Sequence, residues 1–473
     1  MPTPPKRKPD SARRANRIIQ QRTLLLLALL GIGTFLLLFA QLYKLQIKQH
    51  DELKTLAVRQ QTLRTTVEAS RGTIYDKNGD ILALSSTAEN VCVSPLDVAK
   101  NEQDQDLIAN GLGEILGVDP SGILDDMKDT ASQYKVIKKK VEQETADKVR
   151  VFISDNGIKG VFLEPTSKRY YPYSSLAAHV IGFVNANGGA YGLEAVYDEE
   201  LTGEKGMVVS ARDANGNALL YQYEQYFDAE NGDSLVTTLD KTVQYYLEKG
   251  LEELESRYGT GVGATGIVMD VKTGEVLAMA NLPDFDPNDA YKLTSDKYIN
   301  ELKENVAKIL KEENVKVEIP DAWYEKGGLD NLPEAIHDNS DLVDALGSAR
   351  VNILMKTWRN PVIADNYEPG STFKLMTVST AYDLGATHAE DTYYCGGSLQ
   401  VENWEIKCAN TSGHGMQTLT EALMNSCNVA MMQIAQSVGM DRFYNFYKAF
   451  GLTEPTGIDL PGEGKGQFHK LDV

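Results

Sequence analysis

Histidine is scarce in this 473-residue sequence: there are six, and none stands at the spacing of a metal-ligand set, so no metal is expected. Positive charge is in deficit, with 47 lysines and arginines against 67 acidic residues and a net charge of −20. An acidic chain of this kind argues against nucleic acid as a partner. Internal repeats and long low-complexity segments are lacking. What remains is a globular composition, 42% hydrophobic and 24% charged, at a length that implies two to four units.

The exception to the acidic balance is the start. Lys6, Arg7, Lys8, Arg13, Arg14, Arg17 and Arg22 face only Asp10, a local charge of +6, which leaves −26 for the rest. TLLLLALLGIGTFLLLFA follows at 23–40, with no charge in 18 positions. That run nearly crosses a bilayer, and Gln41, Leu42 and Tyr43 extend it into the far interface. A signal-peptide core is shorter, ~7–15 residues, and no small-x-small cleavage site follows. The sequence therefore predicts a single uncleaved anchor over 23–43. The basic tail, 1–22, stays in the cytoplasm under the positive-inside rule and everything beyond lies outside the membrane.

Past the anchor, 44–66 is polar and helix-compatible, a stalk. RGTIYDKNGDILALS (71–85) reads as a hairpin turning at Asp76–Gly79. Residues 97–165 read as a mixed lobe with charged helices, IKKKVEQETADKVRVFI among them. Residues 168–184 and 207–220 predict more strands, with a turn at Asn215-Gly216. A second domain opens near 236, where Asp240 is a candidate N-cap for a helix striped by Val243, Leu247, Leu251 and Leu254. ATGIVMDVKTGEVLAMANL predicts two buried strands around a turn at Lys272-Thr273-Gly274. Residues 284–360 read as a polar, irregular insertion with one charged helix. TLTEALMNSCNVAMMQIAQSVG (418–439) reads as two helical pieces meeting at Ser426-Cys427-Asn428.

The chemistry is sought in EPGSTFK, residues 368–374. Pro369 ends any helix arriving from upstream, Gly370 takes angles other residues avoid, and a helix can begin at Ser371. Phe373, Met376 and Leu384 are its expected core-facing positions. The hydroxyl of Ser371 and the amine of Lys374 then share a face one turn apart. The helix dipole and burial both disfavour a charged ammonium, and a neutral Lys374 can take the proton of Ser371 as it attacks a carbonyl. Ser426 can relay that proton, and Asn428 can orient the lysine or a substrate amide. A capping serine with a snorkelling lysine stays open as the plainer reading. A second set, Ser132–Lys135, Ser154–Asn156 and Lys272-Thr273-Gly274, matches the same strings. It lies on a charged surface, a turn and a hairpin tip, and is set aside.

EPGSTFK, followed by SCN some 55 residues later, resembles the active site of the serine penicillin-recognising transpeptidases. The short basic tail, the anchor, RGTIYDKNG, RYYP, YGLEAVYDEELTG and DVKTGEVLAMANLPDFDPN narrow the resemblance to class B high-molecular-weight penicillin-binding proteins. It is strongest to the cell-division and stage V sporulation protein D types of Gram-positive bacteria. The implied fold is α+β and multidomain: the anchor, a β-rich pedestal of the dimerisation type over 44–235, and a transpeptidase domain of helices around an antiparallel sheet over 236–473. The implied activity is peptidoglycan D,D-transpeptidation through an acyl-serine intermediate. Ser371 attacks the D-Ala-D-Ala bond of a stem peptide, Lys374 is the base, and Ser426 and Asn428 form the second motif. The implied partners are stem peptides, β-lactams, the cell membrane, a membrane glycosyltransferase and other wall-synthesis proteins, with no cofactor. The family's third motif, a Lys-Thr/Ser-Gly strand downstream of S-x-N, does not occur after residue 428. The transpeptidase domain is thus expected to be incomplete, and an anchored scaffold that recruits a glycosyltransferase stands as the alternative.

Cys92, Cys395, Cys408 and Cys427 all fall outside the membrane, where disulfides are allowed. Two readings stay open for Cys408 and Cys427: a bond that locks the active-site loop, and small buried thiols.

Overall fold

The computed structural model describes residues 11–50, 62–211, 224–259, 261 and 263–467. They group into two compact units, one drawn from 1–69 and 204–230, the other from 70–203 and 231–473. The first unit contains the helix Ser11–Tyr43 and an antiparallel sheet. Its stretch Arg22–Lys48 contains an 18-residue window of mean hydropathy 2.5 and is long and apolar enough to cross a membrane. In the sheet, Gly206–Ala211 lies between Thr62–Val67 and Glu224–Phe227. The turn expected at Asn215-Gly216 lies outside the described residues.

The second unit is organised by the strand Ile81–Val93, which pairs antiparallel with Ile74–Tyr75, Lys135–Glu142 and Val161–Tyr170. The hairpin expected at 71–85 is there: Asp76 closes its turn by accepting from the amides of Asn78 and Asp80, each at 2.8 Å. One core sits under the far half of the long strand, where Val91 and Val93 meet Ile108, Leu112, Leu116 and Val149. Here the expectation needs correction. IKKKVE is strand, not helix, and the helix begins only at Gln143. Exposed Lys138, Lys139 and Lys140 suit a ribbon on the sheet's edge, where Val141 alone is buried. Likewise 168–184 holds little strand beyond Tyr170; Ala178–Ile181 is a helical turn.

A larger core runs from Ile74 and Phe183 to Trp358 and Leu460. Much of it comes from 284–360, which is helical and packed rather than irregular. Helix Asp296–Glu312 buries Tyr298, Leu302 and Val306, four residues apart, and helix Ser340–Trp358 buries Leu342, Leu346, Ile353 and Leu354. Apart from the buried Arg350, the abundant charges keep to the outer faces. Arg350 donates to the carbonyls of Tyr291 (2.7 Å) and Glu325 (2.8 Å), and Trp358 to that of Ala290 (2.8 Å).

Helix Lys241–Tyr258 starts at Asp240, whose carboxylate accepts from the amides of Thr242 (3.0 Å) and Val243 (3.1 Å). It packs on the hairpin Ala264–Met269 and Val276–Leu282. Only the second of those strands is buried; the first alternates with solvent.

Three segments that looked merely characteristic in the sequence, RGTIYDKNG, RYYP and YGLE, come together around one buried carboxylate. Glu194, wholly buried, accepts from Arg169 Nε and Arg71 Nε, each at 2.6 Å, and from the Tyr171 hydroxyl at 3.3 Å. Gly192, at φ +59°, brings the backbone so close to Val180 that a Cβ would lie 2.4 Å from its carbonyl oxygen.

His179 lies nearby in the same core, its Nε2 2.9 Å from the Thr357 carbonyl and its ring edge-on to Phe285. Burial pushes its pKa down to about 4. The unfolded chain therefore binds the proton more readily than the folded one between about pH 6.5 and 4, and stability falls as pH drops through that window. Loss of roughly 3 kcal/mol is expected on acidification. Chemical denaturation at both ends of the window, against His179→Phe, checks it: the variant should lose that part of the pH dependence.

Candidate active site

The site is built from the ends of three helices around a third, smaller core of Ala381, Cys395, Cys408, Ala422, Cys427, Ala430 and Ile434. Gly370, at φ +58°, turns the chain after Pro369 into one tight helical turn, Gly370–Phe373, and the α-helix proper is Lys374–Asp383. Nothing crowds a Cβ at 370, so the glycine is needed for its angles alone. The buried face of this helix is Thr377, Thr380 and Ala381, with Leu384 partly covered. Phe373 and Met376 do not reach the core. Phe373 instead lies 5.0 Å from the ring of Tyr447.

The second segment is two helices, Leu419–Met424 and Asn428–Val438. The first opens with a reciprocal cap between Thr418 and Glu421. It closes with the Cys427 amide on the Ala422 carbonyl (2.9 Å) and the Ser426 amide on the Leu423 carbonyl (3.0 Å). That closure demands a left-handed residue, usually glycine, and Ser426 fills it at φ +50°. The conformation costs a serine about 1 kcal/mol. In return, hydroxyl and carbonyl of Ser426 both face Lys374.

Lys374 Nζ lies 2.7 Å from Ser426 O, 2.9 Å from Ser426 Oγ and 2.6 Å from Asn428 Oδ1. Ser426 Oγ donates to Ser371 Oγ at 3.0 Å. Among the described residues, all of the lysine's hydrogen bonds go to the Ser426–Asn428 loop, and it reaches Ser371 through Ser426. The chain Ser371–Ser426–Lys374 thus replaces the direct pairing the spacing suggested. Asn428 is itself held, its Nδ2 donating to the Lys407 carbonyl at 3.2 Å. Burial pushes Lys374 below the ordinary lysine range, against a smaller opposing pull from the Cys408 and Cys427 sulfurs. Ser371 is exposed, open to a substrate.

The set put aside stays apart from this chemistry. Lys135 pairs with Asp129 at 3.4 Å, Ser154 lies in the last turn of helix Gln143–Asp155, and Lys272-Thr273-Gly274 caps the hairpin turn on Asp270.

All four cysteines are free and buried, and the Cys408 and Cys427 sulfurs stand 4.0 Å apart, so no bond joins them here. Cys395 and His414 complete a cluster whose four ligand atoms lie within 4.8 Å of one another. Sequence reasoning missed this grouping. The histidines carry no short ligand spacing, and only the fold collects His414 with three cysteines.

Two domain families match the chain: "Penicillin binding protein transpeptidase domain" over residues 264–472 and "Penicillin-binding Protein dimerisation domain" over 66–237. The chain belongs to the class B penicillin-binding proteins. It is 28% identical to stage V sporulation protein D of Bacillus subtilis over 97% of its own length and 61% of that protein's. Against penicillin-binding protein PbpB of Mycolicibacterium smegmatis the identity is 27%, over 97% of this chain and 64% of the relative. The chain thus spans less than two thirds of the length of these curated relatives. Penicillin-binding protein 2 of Helicobacter pylori, solved in complex with MreC, shares the fold at a TM-score of 0.59 and 19% identity, over 86% of this chain and 68% of that one. Ser371 and Lys374 stand on the helical segment that follows Pro369-Gly370, and Ser426 and Asn428 on the facing loop.

Proposed function

We propose that this penicillin-binding protein is a peptidoglycan D,D-transpeptidase acting through an acyl-serine at Ser371. The observation that carries this is the unbroken hydrogen-bond chain from Ser371 Oγ through Ser426 Oγ to Lys374 Nζ. As Ser371 Oγ bonds to the penultimate D-Ala carbonyl carbon, its proton passes to Ser426 Oγ and the Ser426 proton to neutral Lys374. The proton then leaves Lys374 for the departing D-Ala amine, and the acyl group stays on Ser371. An acceptor amine of a second stem peptide attacks that ester, returning the proton to Ser371 by the same path. Asn428 and the Ser426 carbonyl hold the lysine in place for both halves.

In this reading residues 44–235 are stalk and pedestal, and 236–473 the transpeptidase domain with its helical insertion at 284–360. The basic tail, 1–22, lies in the cytoplasm, 23–43 crosses the membrane, and the reaction occurs outside. Partners are stem peptides, β-lactams and other wall-synthesis proteins, a membrane glycosyltransferase among them, in division or sporulation. A scaffold without catalysis is the second reading. It draws on the placement of the chain's Lys-Thr-Gly, 272–274, on a hairpin turn instead of at the Ser371 site.

Detergent-solubilised protein incubated with benzylpenicillin and mapped by mass spectrometry tests the first reading. A β-lactam keeps its leaving group, so the peptide containing Ser371 should gain the whole mass of the drug. No adduct leaves the scaffold reading; an adduct elsewhere removes Ser371 from its role. The relay gives a finer expectation. Ser426→Ala keeps the backbone carbonyl on Lys374 but cuts the path to Ser371, and should slow acylation by about 10² or more. Alanine tolerates the left-handed angle no worse than serine, so the thermal midpoint should stay near the parent's.

A further inference from the structure

The cluster beneath the Ser426–Asn428 loop has a chemistry of its own. Cys395 ends the strand Thr392–Cys395, Cys408 follows Trp404–Lys407, His414 precedes Gly415–Thr418, and Cys427 joins the two helices. Four separate elements thus each deliver one soft or borderline ligand to a single point, within 4.8 Å of one another. We propose that Cys395, Cys408, His414 and Cys427 bind one structural zinc ion.

Geometry supports it. Zinc bonded tetrahedrally to sulfur at ~2.3 Å and nitrogen at ~2.0 Å requires ligand atoms about 3.5–3.8 Å apart. The Cys408 and Cys427 sulfurs are 4.0 Å apart, and Cys408 Sγ is 3.7 Å from His414 Nδ1. The pairs need only close by fractions of an ångström to about one, which side-chain rotation supplies. A disulfide, at ~2.05 Å, would need Cys408 and Cys427 to halve their separation and would leave Cys395 and His414 with nothing to do. Three buried sulfurs and one half-buried imidazole are the donor set of structural zinc, with no open position for a substrate. Backbone amides are already aimed at the sulfurs: Ala430 donates to Cys427 Sγ at 3.4 Å, as amides around metal thiolates do.

The consequence lies at Cys427. It stands between Ser426 and Asn428, which supply every acceptor of Lys374. Cys408 directly follows Lys407, whose carbonyl anchors Asn428. Zinc would therefore pin both sides of the loop that positions the lysine. Cys395, Cys408, His414 and Cys427 are positioning residues here, not catalytic ones. Metal binding stands without the acylation reading; only the effect on rate rests on it.

The test is metal content first. Protein purified reduced, equilibrated with Zn²⁺ and freed of loose metal should hold one zinc per chain by elemental analysis. Cobalt exchanged into the site should show thiolate-to-metal absorption and the intense visible bands of a tetrahedral ion. Cys395→Ser and His414→Ala should each weaken binding at least tenfold, and Cys92→Ala, in the other lobe, should leave it unchanged. If the variants do not fold, the cobalt spectrum of the parent still decides. No zinc retained with four reactive thiols overturns the proposal; no zinc with two thiols released only by reductant assigns Cys408 and Cys427 to a disulfide instead. If zinc is held, stripping it should slow penicillin capture at Ser371 while leaving the peptide that is labelled unchanged. Zinc present with no labelling at all would retain the metal site and remove the acylation reading.

Discussion

Ser371→Ala is expected to take up no covalent penicillin, and Lys374→Met to take it up about 10²–10⁴-fold more slowly than the parent. The two losses differ in kind. Without the Ser371 hydroxyl there is no atom to acylate. Without the amine the nucleophile survives, but Ser426 Oγ has lost the base at 2.9 Å to which its proton would pass. Methionine keeps the length of the side chain and removes its charge and donors, leaving the Ser426 carbonyl and Asn428 Oδ1 without the donor they now share. Part of any loss could then come from a loosened loop, and a thermal midpoint measured on the same sample separates the two. The direction of the pH profile follows from the neutral-base requirement. Burial lowers Lys374 from its ordinary value, so acylation should climb with pH and level off below the usual lysine range. A profile flat from neutral to alkaline pH, or equal labelling of parent and Lys374→Met, would show that the amine is not the base.

The local signals in the sequence carried far where one residue type forces one conformation. Pro369 and Gly370 announce a new start, Asp240 caps its helix, and the turn at Asp76–Gly79 closes the hairpin as expected. The two helices meeting at Ser426-Cys427-Asn428 were legible from their apolar spacing. Legibility failed where conformation depends on distant partners. That Lys374 turns to Ser426 instead of Ser371 follows from the left-handed angle at Ser426, a position where glycine is the expected residue. The charged helix at 296–312 was legible, but its packing and the helix Ser340–Trp358 were not, since the buried positions are a minority of each helix and find partners only in the assembled core. Cys395 and His414 stand 13 or more residues from Cys427, and no periodicity links them; two hairpins had to fold before they met.

The segments around Glu194 show the same limit with larger energetic stakes, and Glu194→Ala should destabilise the protein by about 3–5 kcal/mol. Arg169 is the reason. Its side chain is 3% exposed, Glu194 not at all, and Arg71 12%. Arg71 would keep Asp198 and Thr202, each at 2.7 Å, and relax toward solvent. Among the described residues Arg169 would keep only the carbonyls of Gly72 (2.6 Å) and Arg71 (3.5 Å), and its Nη2 already lacks a partner there. A guanidinium left buried with no carboxylate is the costly product, more than the lost attraction itself. The double variant Glu194→Leu with Arg169→Met removes that orphan and should recover much of the loss, because apolar replacement of a whole buried pair is often close to neutral. Denaturant titration of the parent, the single and the double variant reads all three. A single variant within about 0.5 kcal/mol of the parent, the range of ordinary surface changes, would mean that water reaches Arg169. A double variant as weak as the single would place the energy in Arg71 and Tyr171 instead, whose bonds to Glu194 both variants break.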